Sequence, residues 1–408
     1  MTAPAITPDL QRATDARVVG LVSAAHFISH VYILVLPPLF PFVRAEFAVS
    51  YTELGVAIAV FNILTALLQT PAGFLVDRTS ARAVLVGGLI LGAGSLTAAA
   101  FATSFYAFVA MFALTGIANA VYHPANYALL SGRVSAPRMS QAYSVHIFAG
   151  FIGTAIAPAS LLFLAALFGW RGALVVAALL GVATAAAMML FGEPLASSAR
   201  KPASEAPATR PDWHVLMSAA VLRNLVFFIL LAVTGAGLQN YGIVALEALW
   251  GIPLSLATTA LSVYLLMSAF AVLAGGMISA RTDRHDLVAI AGLAVSALAL
   301  IPIAIFDLGT AALLALMALS GFCTGVIMPS RDMLVRAVTP PGAFGKVFGF
   351  VTTGFNIGGI VAPPLFGFLM DRGNPQWVLL GSALCALASI PLVMAVARSA
   401  PFFDRKHD

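Results

Sequence analysis

Charged side chains are scarce in this chain: they occupy 9% of its 408 positions, against 61% for hydrophobic residues. So little polar cover excludes a soluble globular domain, because the apolar surface would exceed what a folded core can hide. Cysteine is nearly absent, and Cys323 and Cys385 both fall in apolar runs, which argues against a disulfide framework. The sequence also lacks a nucleotide-binding loop, a zinc-hydrolase motif and a cleavable signal peptide. We therefore expect neither an enzyme nor a bound cofactor.

Long apolar runs are abundant, and the mean hydropathy of the chain is +0.99. Twelve runs reach the length of about 18 residues that a helix needs to cross a bilayer. They cover residues 18–43, 54–76, 83–103, 106–131, 141–167, 172–192, 219–246, 256–279, 287–306, 310–336, 346–370 and 377–397. The predicted fold class is an all-α membrane protein of twelve transmembrane helices, with the lipid bilayer as its solvent.

Lysine and arginine are unevenly distributed over the gaps between these runs. Seventeen of the 21 lie in the two termini and in every second gap: Arg12, Arg17, Arg78, Arg82, Arg133, Arg138, Arg200, Lys201, Arg210, Arg223, Arg281, Arg284, Arg336, Lys346, Arg398, Arg405 and Lys406. The other gaps hold only Arg44, Arg171 and Arg372, and Arg331 lies inside a predicted helix. Basic residues gather on the cytoplasmic side of membrane proteins. We therefore expect an inner-membrane protein with both termini in the cytoplasm, and no binding to nucleic acid.

One polar stretch, residues 194–215, divides the chain into an N-terminal half, residues 1–193, and a C-terminal half, residues 216–408. Its Pro, Ala, Ser and charge content is typical of a cytoplasmic linker. The halves repeat at an offset of 205 residues, which relates Gly116 to Gly321, Pro124 to Pro329, Gly153 to Gly358 and Pro158 to Pro363. Two pseudo-symmetric six-helix halves are the architecture of rocker-type secondary transporters, whose solute site lies between the halves.

The loop after predicted helix two carries the first family motif. From Gly73 to Arg82 it reads GFLVDRTSAR, which resembles the G-x-L-x-D-R-x-G-R-[KR] signature of the major facilitator superfamily. The departures are Ser80 and Ala81. In that family the acid and the Arg hold the inner gate in one state, which implies a gating role for Gly73, Asp77 and Arg78. The second-half copy has Ala280 where the acid would stand. The alternative is that Asp77 and Arg78 only set the topology of the loop.

Predicted helices five and eleven carry a second motif. Residues Gly153 to Pro158 read GTAIAP and residues Gly358 to Pro363 read GGIVAP; both resemble the family's antiporter motif G-x-x-x-G-P with Ala in place of the second Gly. Small residues four apart let helices approach closely, and Pro permits a bend. Tight packing between the halves is therefore an equal alternative to a gating role. The Arg that the family often carries in helix four is replaced by Ala113, which departs from the usual coupling scheme of drug-proton antiporters.

A closer resemblance is to the fosmidomycin-resistance-like branch of the family, which has a His in helix one before a Leu-Pro run and a His-Pro pair in helix four. This chain has His26 and His30 before Leu36-Pro37-Pro38, and it has His123 within Tyr122-His123-Pro124. The resemblance implies the fold of a twelve-helix transporter and export of a small solute by proton antiport.

Four histidines lie inside predicted spans: His26, His30, His123 and His146. An ionisable group costs about 2.5–3.5 kcal/mol inside a bilayer, so each is a functional candidate. At about 1.5 Å per residue, His26 and His123 share a level roughly 12–13 Å from the cytoplasmic end of their helices. Three interpretations stay open: titrating groups, a metal site that includes His123, or neutral rings that are hydrogen-bonded in the bundle. The proton-coupling candidates are His26, His30, His123 and Asp332.

Arg331 and Asp332 are adjacent in predicted helix ten. A guanidinium that faces the cavity would bind a carboxylate or phosphonate through paired hydrogen bonds. Successive residues on a helix point about 100° apart, so Asp332 need not share that face. The alternative is an ion pair that braces the inner gate.

The other candidates for solute binding are polar residues on predicted helices four, seven and eleven. They are Asn119, Tyr122, His123, Asn126, Gln239, Asn240, Tyr241 and Asn356. Hydrogen bonding within the bundle is an alternative for each of them. Gly235, Gly237 and Gly242 could break helix seven beside the site, as happens in other transporters.

These observations predict a secondary transporter that moves a small organic anion by alternating access. Its expected partners are the solute, protons and the lipid bilayer, and we expect a monomer. Proton-coupled efflux is the preferred direction because of the family resemblance. Proton-coupled uptake by symport is the first alternative, and export of a divalent metal is the second. A membrane enzyme or sensor is the rival class, and it lacks support from any motif.

Overall fold

The computed structural model describes residues 8–196, 213–340 and 343–399, and these ranges contain helices and no strand. In chain order the helices are α1 (Pro8–Ile33), α2 (Phe40–Phe47), α3 (Tyr51–Arg78), α4 (Ala81–Ala100), α5 (Phe105–Arg133), α6 (Met139–Phe191), α7 (Glu193–Ala196), α8 (Trp213–Leu216), α9 (Ala219–Trp250), α10 (Leu254–Ser279), α11 (His285–Ile305), α12 (Gly309–Ala337), α13 (Phe344–Asp371) and α14 (Gln376–Ser399). Eleven apolar segments among the described residues are long enough to cross a membrane.

The longest helix, α6, contains two of the predicted crossings. Within its 53 residues Gly169 has φ 70° and ψ 166°, which is not helical. A residue with a Cβ disfavours positive φ, so Gly at this position permits the sharp break. Each part of α6 is long enough to span a bilayer. The predicted boundary between helices five and six, at residues 167–172, is therefore confirmed, and the described helices account for all twelve predicted crossings.

The first crossing differs from its prediction as one helix over residues 18–43. Helix α1 ends at Ile33, a 3-10 turn follows at Pro37–Leu39, and α2 begins at Phe40. Proline has no backbone N–H and its ring clashes with the preceding helical turn, so two successive prolines interrupt the helix. This break could not be predicted from the apolar run alone, because hydropathy does not depend on whether a residue has a backbone N–H donor.

The described helices group into two compact units. The first contains the described residues within Met1–Leu39 and Val60–Ala208, and the second contains those within Phe40–Ala59 and Thr209–Asp408. The first part of α3, up to Ala59, thus belongs to the second unit. Most of the predicted linker, residues 194–215, lies outside the described residues, and the division of the chain at that linker stays a prediction.

The internal repeat is visible in the packing inside each unit. In the first unit a Cβ at Gly116 of α5 would lie 2.5 Å from the carbonyl O of Phe61 on α3. In the second unit a Cβ at Gly321 of α12 would clash with the carbonyl O of Tyr264 on α10. The same glycine thus lets the same pair of helices approach backbone to backbone in both units.

The glycines of the second motif have the same kind of role. A Cβ at Gly153 of α6 would lie 2.5 Å from the carbonyl O of Phe27 on α1, and a Cβ at Gly358 of α13 would lie 2.9 Å from the carbonyl O of Ile229 on α9. These closest neighbours lie within the same unit as each glycine. Tight helix packing is therefore present, and it occurs inside the units rather than in the place that we expected.

Helix α9 is continuous, which contradicts the expected break at its glycines. It runs from Ala219 to Trp250 and ends at Gly251 in the left-handed conformation. Gly237 is needed for packing instead, because a Cβ there would lie 2.5 Å from the hydroxyl of Ser382 and 2.8 Å from the ring of Phe366. Glycines in an apolar helix indicate close approach of a neighbour as readily as a break.

Candidate functional site

A cluster of four histidine rings lies in the first unit, around His26. The ring centroid of His26 is 4.5 Å from that of His30, 5.2 Å from that of His123 and 3.9 Å from that of His146. The rings of His26 and His146 are stacked, with 18° between their planes. Helices α1, α5 and α6 each contribute to this histidine cluster. The structure thus brings together three proton-coupling candidates and adds His146, the fourth histidine predicted at membrane depth, to which we had assigned no specific role.

Three buried ring nitrogens of the histidine cluster lack a hydrogen-bond partner among the described residues. Nδ1 of His30 lies 2.7 Å from the hydroxyl of Thr154. His26 is 4% exposed and His146 is 0% exposed, yet Nδ1 of His26 and both ring nitrogens of His146 have no hydrogen-bond partner among the described residues. Buried polar groups in proteins are usually satisfied, so unpaired ones require an explanation such as water, a proton or a ligand.

Gly150 makes room for these rings. A Cβ at this position would lie 2.6 Å from Nε2 of His26 and 2.9 Å from Nε2 of His30. Any other residue at position 150 would push the imidazoles out of place. The sequence offered one signal, since Gly150 stands three residues before the Gly153 of the second motif, but we did not assign it.

The surroundings of the histidine cluster are neutral. Within the described residues none of the four rings forms an ion pair, and the neighbouring titratable groups are phenols: Tyr127 contacts His123 and His146, and Tyr143 contacts Tyr127. No group of three or more His, Cys, Asp or Glu in the described ranges is arranged to hold a metal ion.

Arg331 lies against a pair of adjacent aromatic rings in the second unit. Its guanidinium carbon is 4.8 Å from the ring centroid of Phe228 on α9 and 5.1 Å from that of Phe355 on α13. The two rings are themselves 4.9 Å apart, between centroids. Stacking of a planar cation on aromatic faces fixes its orientation and stabilises its charge. We call Arg331, Phe228 and Phe355 the arginine clamp; nothing in the sequence pattern pointed to the two phenylalanines.

Asp332 occupies one edge of the guanidinium. Nε and Nη2 of Arg331 donate to Oδ1 of Asp332 at 2.9 and 2.8 Å, and Nη1 lies 3.2 Å from the sulfur of Met328. The side chain of Arg331 is 13% exposed, whereas that of Asp332 is 45% exposed. The pair is therefore formed, and its carboxylate is the more accessible member.

Three candidates on α5 lie in the core of the first unit. Tyr122 is 1% exposed and its hydroxyl donates to the carbonyl O of Gly88 at 3.1 Å. The amide of Asn119 donates to the hydroxyl of Thr65 at 3.4 Å. Asn126 is 0% exposed, and neither polar atom of its side chain has a partner among the described residues. For Tyr122 and Asn119 this geometry favours hydrogen bonding within the bundle over contact with a solute.

The candidates on α9 and α13 divide in the same way. Tyr241 is fully buried, and its hydroxyl donates to the carbonyl O of Tyr51 at 3.0 Å. Gln239, Asn240 and Asn356 are half-buried, and they form no hydrogen bond with another described residue. Their amides are thus available to a solute, whereas the Tyr241 hydroxyl is already engaged.

The signature loop after α3 is partly structural. Ser80 is the N-cap of α4 and accepts from the backbone N–H of Ala83, which gives its departure from Gly a physical reason. Arg82 donates to the carbonyl O atoms of residues 188 and 189, near the end of α6. Asp77 and Arg78 are exposed and have no hydrogen bond or ion pair with another described residue. The gating pair is therefore unengaged here.

A multi-pass helical bundle with clustered ionisable groups at membrane depth defines a membrane transporter rather than an enzyme. The chain belongs to the major facilitator superfamily, whose family model matches residues 22–246 and 225–407. It is 22% identical over 400 residues to the fosmidomycin resistance protein of Escherichia coli (strain K12), and the match covers 97% of this chain and 94% of that protein. It is 23% identical over 386 residues to the uncharacterized transporter YfnC of Bacillus subtilis (strain 168), with 92% and 91% covered.

Solved structures show the same fold. A bacterial homolog of the human lysosomal transporter Spinster, in an inward-facing and occupied conformation, matches with a TM-score of 0.79 and 13% identity over 94% of this chain and 97% of that chain. The nucleoside transporter NupG matches with a TM-score of 0.75 and 16% identity over 94% and 99% of the chains. The protein is thus a multi-pass membrane transporter of small solutes, and the predicted fold class is confirmed.

Proposed function

We propose that this protein is a proton-coupled secondary transporter that exports a small organic anion across the cytoplasmic membrane. The observation that carries the proposal is the arginine clamp. A guanidinium presents a planar fork that matches a carboxylate or phosphonate, and its charge is permanent. Phe228 and Phe355 both contact the guanidinium and limit its movement, so its donors are partly oriented before a solute arrives.

The histidine cluster is the proposed proton site. Imidazole is the side chain whose unperturbed titration falls closest to physiological pH. Because the ring centroids around His26 lie 3.9–5.2 Å away, a first proton on the cluster opposes a second one electrostatically. The cluster would therefore carry about one proton per cycle, and the unpaired nitrogens of His26 and His146 are its proposed acceptors.

Export is supported by the likeness to the fosmidomycin resistance protein over almost the whole chain. Resistance to a compound arises when a carrier keeps it out of the cytoplasm. The asymmetric distribution of basic residues supports cytoplasmic termini and insertion in the inner membrane. We also propose that the chain acts as a monomer, since each of its halves supplies one part of the machinery, the histidine cluster or the arginine clamp.

Uptake by symport is the second candidate, and the pairing of Arg331 with Asp332 favours it. A solute anion and the Asp332 carboxylate compete for the same guanidinium. A proton on Asp332 removes the competitor, so a proton and an anion would bind together. Binding of both to one carrier state is the requirement for symport, whereas antiport requires that the proton displaces the solute.

Reconstitution in liposomes distinguishes the candidates. A thermal-shift screen over organic anions and phosphonates at two pH values would select a solute, which is then used in labelled form. Counterflow of that solute without a gradient is expected for a carrier and absent for an enzyme or sensor. With a pH gradient imposed, accumulation in the compartment of higher pH indicates symport, and depletion from it indicates antiport.

The variant Asp332→Asn tests the competition directly. Because Asn carries no charge, solute affinity at neutral pH is expected to rise several-fold, in line with the ~1 kcal/mol that a partly exposed ion pair contributes. Under symport, acid pH is expected to raise the affinity of the parent protein for the solute, and this rise should be absent in the variant. Calorimetric titration at two pH values measures both effects, with Asp307→Asn as an exposed carboxylate control. Weaker binding by Asp332→Asn would instead show that Asp332 orients Arg331.

The variant Asp77→Asn tests the gating role that the signature implies. A charge-assisted contact made in only one of two transport states shifts their balance by about 1–3 kcal/mol, or several-fold or more in population. The side chain of Asp77 has no partner among the described residues, so we place its contact in the other transport state. Turnover is expected to slow while solute affinity stays nearly unchanged. Ser80→Ala, which alters the same loop without removing charge, is the control, and equal turnover in both variants would leave Asp77 a topological role only.

A further inference from the structure

The six residues that end α3 recur at the end of α13. Residues 73–78 read GFLVDR, and residues 367–372 read GFLMDR. Five of the six positions are identical. The offset of 205 residues that relates the two halves does not relate these two hexapeptides. The distribution of basic residues assigns the end of α3 to the inner face and the end of α13 to the outer face. A second Asp-Arg pair, Asp371 and Arg372, therefore stands at the face opposite the family signature.

Asp371 is bound to the first turn of α3, inside the second unit. The backbone N–H of Tyr51 donates to its Oδ1 at 2.8 Å, and the backbone N–H of Thr52 donates to its Oδ2 at 2.8 Å. The hydroxyl of Thr52 donates to the same Oδ2 at 2.6 Å. The N-terminus of a helix has unpaired N–H groups and a partial positive charge, so a carboxylate there is held by three hydrogen bonds and by the helix dipole.

The helix has its own cap without Asp371. The N–H of Glu53 donates to the hydroxyl of Ser50 at 3.1 Å, and the N–H of Ser50 donates to Oε2 of Glu53 at 2.8 Å. This is a complete capping box. Asp371 takes the two N–H groups that the box leaves free. Its contact is thus a docking contact between α13 and α3 rather than a condition for α3 to fold.

The two helices are in backbone contact beside Asp371. Gly367 lies one turn before Asp371, and a Cβ there would clash with the carbonyl O of Tyr51. Gly55 lies one turn after Tyr51, and a Cβ there would clash with the carbonyl O of Pro363. The hydroxyl of Tyr241 donates to the carbonyl O of Tyr51 and fills the space between the glycines. The contact is therefore shaped for close approach as well as for charge.

The two copies of the hexapeptide differ in their surroundings. A Cβ at Gly73 would meet nothing within 4 Å, and Asp77 has no partner among the described residues. Gly367 and Asp371 are both engaged. Asp371, in the second copy, is thus bound to a helix N-terminus. Asp77, in the first copy, has no such partner among the described residues.

We propose that Gly367, Asp371 and the first turn of α3 form an outer latch, which holds the outer face closed and opens whenever the solute site is exposed to the outside. Alternating access requires that contacts at one face break when that face opens. The first turn of α3 belongs to the second compact unit together with α13, whereas α3 from Val60 onward belongs to the first unit. The outer latch thus binds α13 to a helix that contributes to both units. The outer latch would act in the opposite phase to the gating that the family signature implies for Asp77.

A buried reporter on α3 tests the outer latch without any solute. Ala59 lies one turn beyond Gly55 on the same face and is 6% exposed. An Ala59→Cys reporter, in a chain with Cys323→Ser and Cys385→Ser, is labelled in intact cells by a membrane-impermeant maleimide applied from outside. Adding Asp371→Asn is expected to raise the labelling rate several-fold, because three hydrogen bonds to a charged group are weakened in the closed state.

Controls separate the outer latch from general loosening. Asp307→Asn removes another exposed carboxylate, one bound only to the nearby backbone N–H of Gly309, and should leave the rate unchanged. Gly367→Ala should also raise the rate, whereas Gly349→Ala on the same helix, where a Cβ meets nothing within 4 Å, should not. The inference is overturned if the Asp371 and Gly367 variants both label at the parental rate, or if the controls rise equally. Neither result depends on which solute or ion is transported.

Discussion

Replacing Arg331 by Ala is expected to abolish binding and transport of the anionic solute, with a loss of affinity of at least about 30-fold. Truncating one member of a hydrogen-bonded charge pair costs about 2–5 kcal/mol, and the solute would lose both N–H donors of the fork. Arg331→Lys is expected to recover little, because a lysine has no planar face to stack on Phe228 and Phe355 and no paired donors.

Calorimetric titration of the screened anion measures this loss directly. Arg336→Ala is the matched control, since it removes the same charge from the exposed last turn of α12. The arginine clamp also predicts that Phe355→Leu weakens binding less than Arg331→Ala, because the donor fork remains while one stacking face is lost. Binding near the parental level by Arg331→Ala would assign the Arg331–Asp332 pair to bracing the helix rather than to the solute.

The number and order of crossings could be predicted from the sequence because the bilayer imposes a strict length on each apolar run. The break between the fifth and sixth crossings was also predictable, since Arg171, next to Trp170, interrupts the hydropathy near Gly169. Pro37 and Pro38 are apparent in the sequence, but hydropathy alone places them inside one long apolar run, residues 18–43. Their effect depends on backbone donors, which hydropathy does not measure.

The orientation of polar side chains was much less predictable. In a soluble helix the polar face identifies the outside, but in a membrane helix the lipid face and the packed face are both apolar. Tyr122 could therefore be placed on α5 but not assigned to the core, where it donates to Gly88. The same ambiguity left Phe228 and Phe355 unnoticed, since a phenylalanine in an apolar helix carries no positional signal.

Repeated short strings proved more informative than single polar residues. The offset of 205 residues relates Gly116 to Gly321, and these two glycines contact equivalent neighbours in the two units. The second GFLxDR string lies outside that offset, so a search for the repeat alone passed over it. It became meaningful once its carboxylate was seen on the first turn of α3.

The histidine cluster yields the second large effect. His26→Gln and His123→Gln are each expected to eliminate proton-driven accumulation of the solute in liposomes, down to the level seen without a gradient. Glutamine keeps a hydrogen-bonding side chain of similar reach but cannot take up a proton at physiological pH. Counterflow, which needs no net proton movement, should survive in both variants because Arg331 and its aromatic neighbours are untouched.

His285→Gln is the control for this pair of variants, since His285 lies at the start of α11, near the hydroxyl of Ser279 and outside the cluster. Comparing accumulation with counterflow in the same liposomes separates coupling from binding and from folding. Loss of both activities would place His26 in solute binding or in the packing against Gly150. Unchanged accumulation would mean that the four rings are neutral structural groups, and the proton would then have to bind at Asp332, where the pH dependence of the Asp332→Asn variant tests it independently.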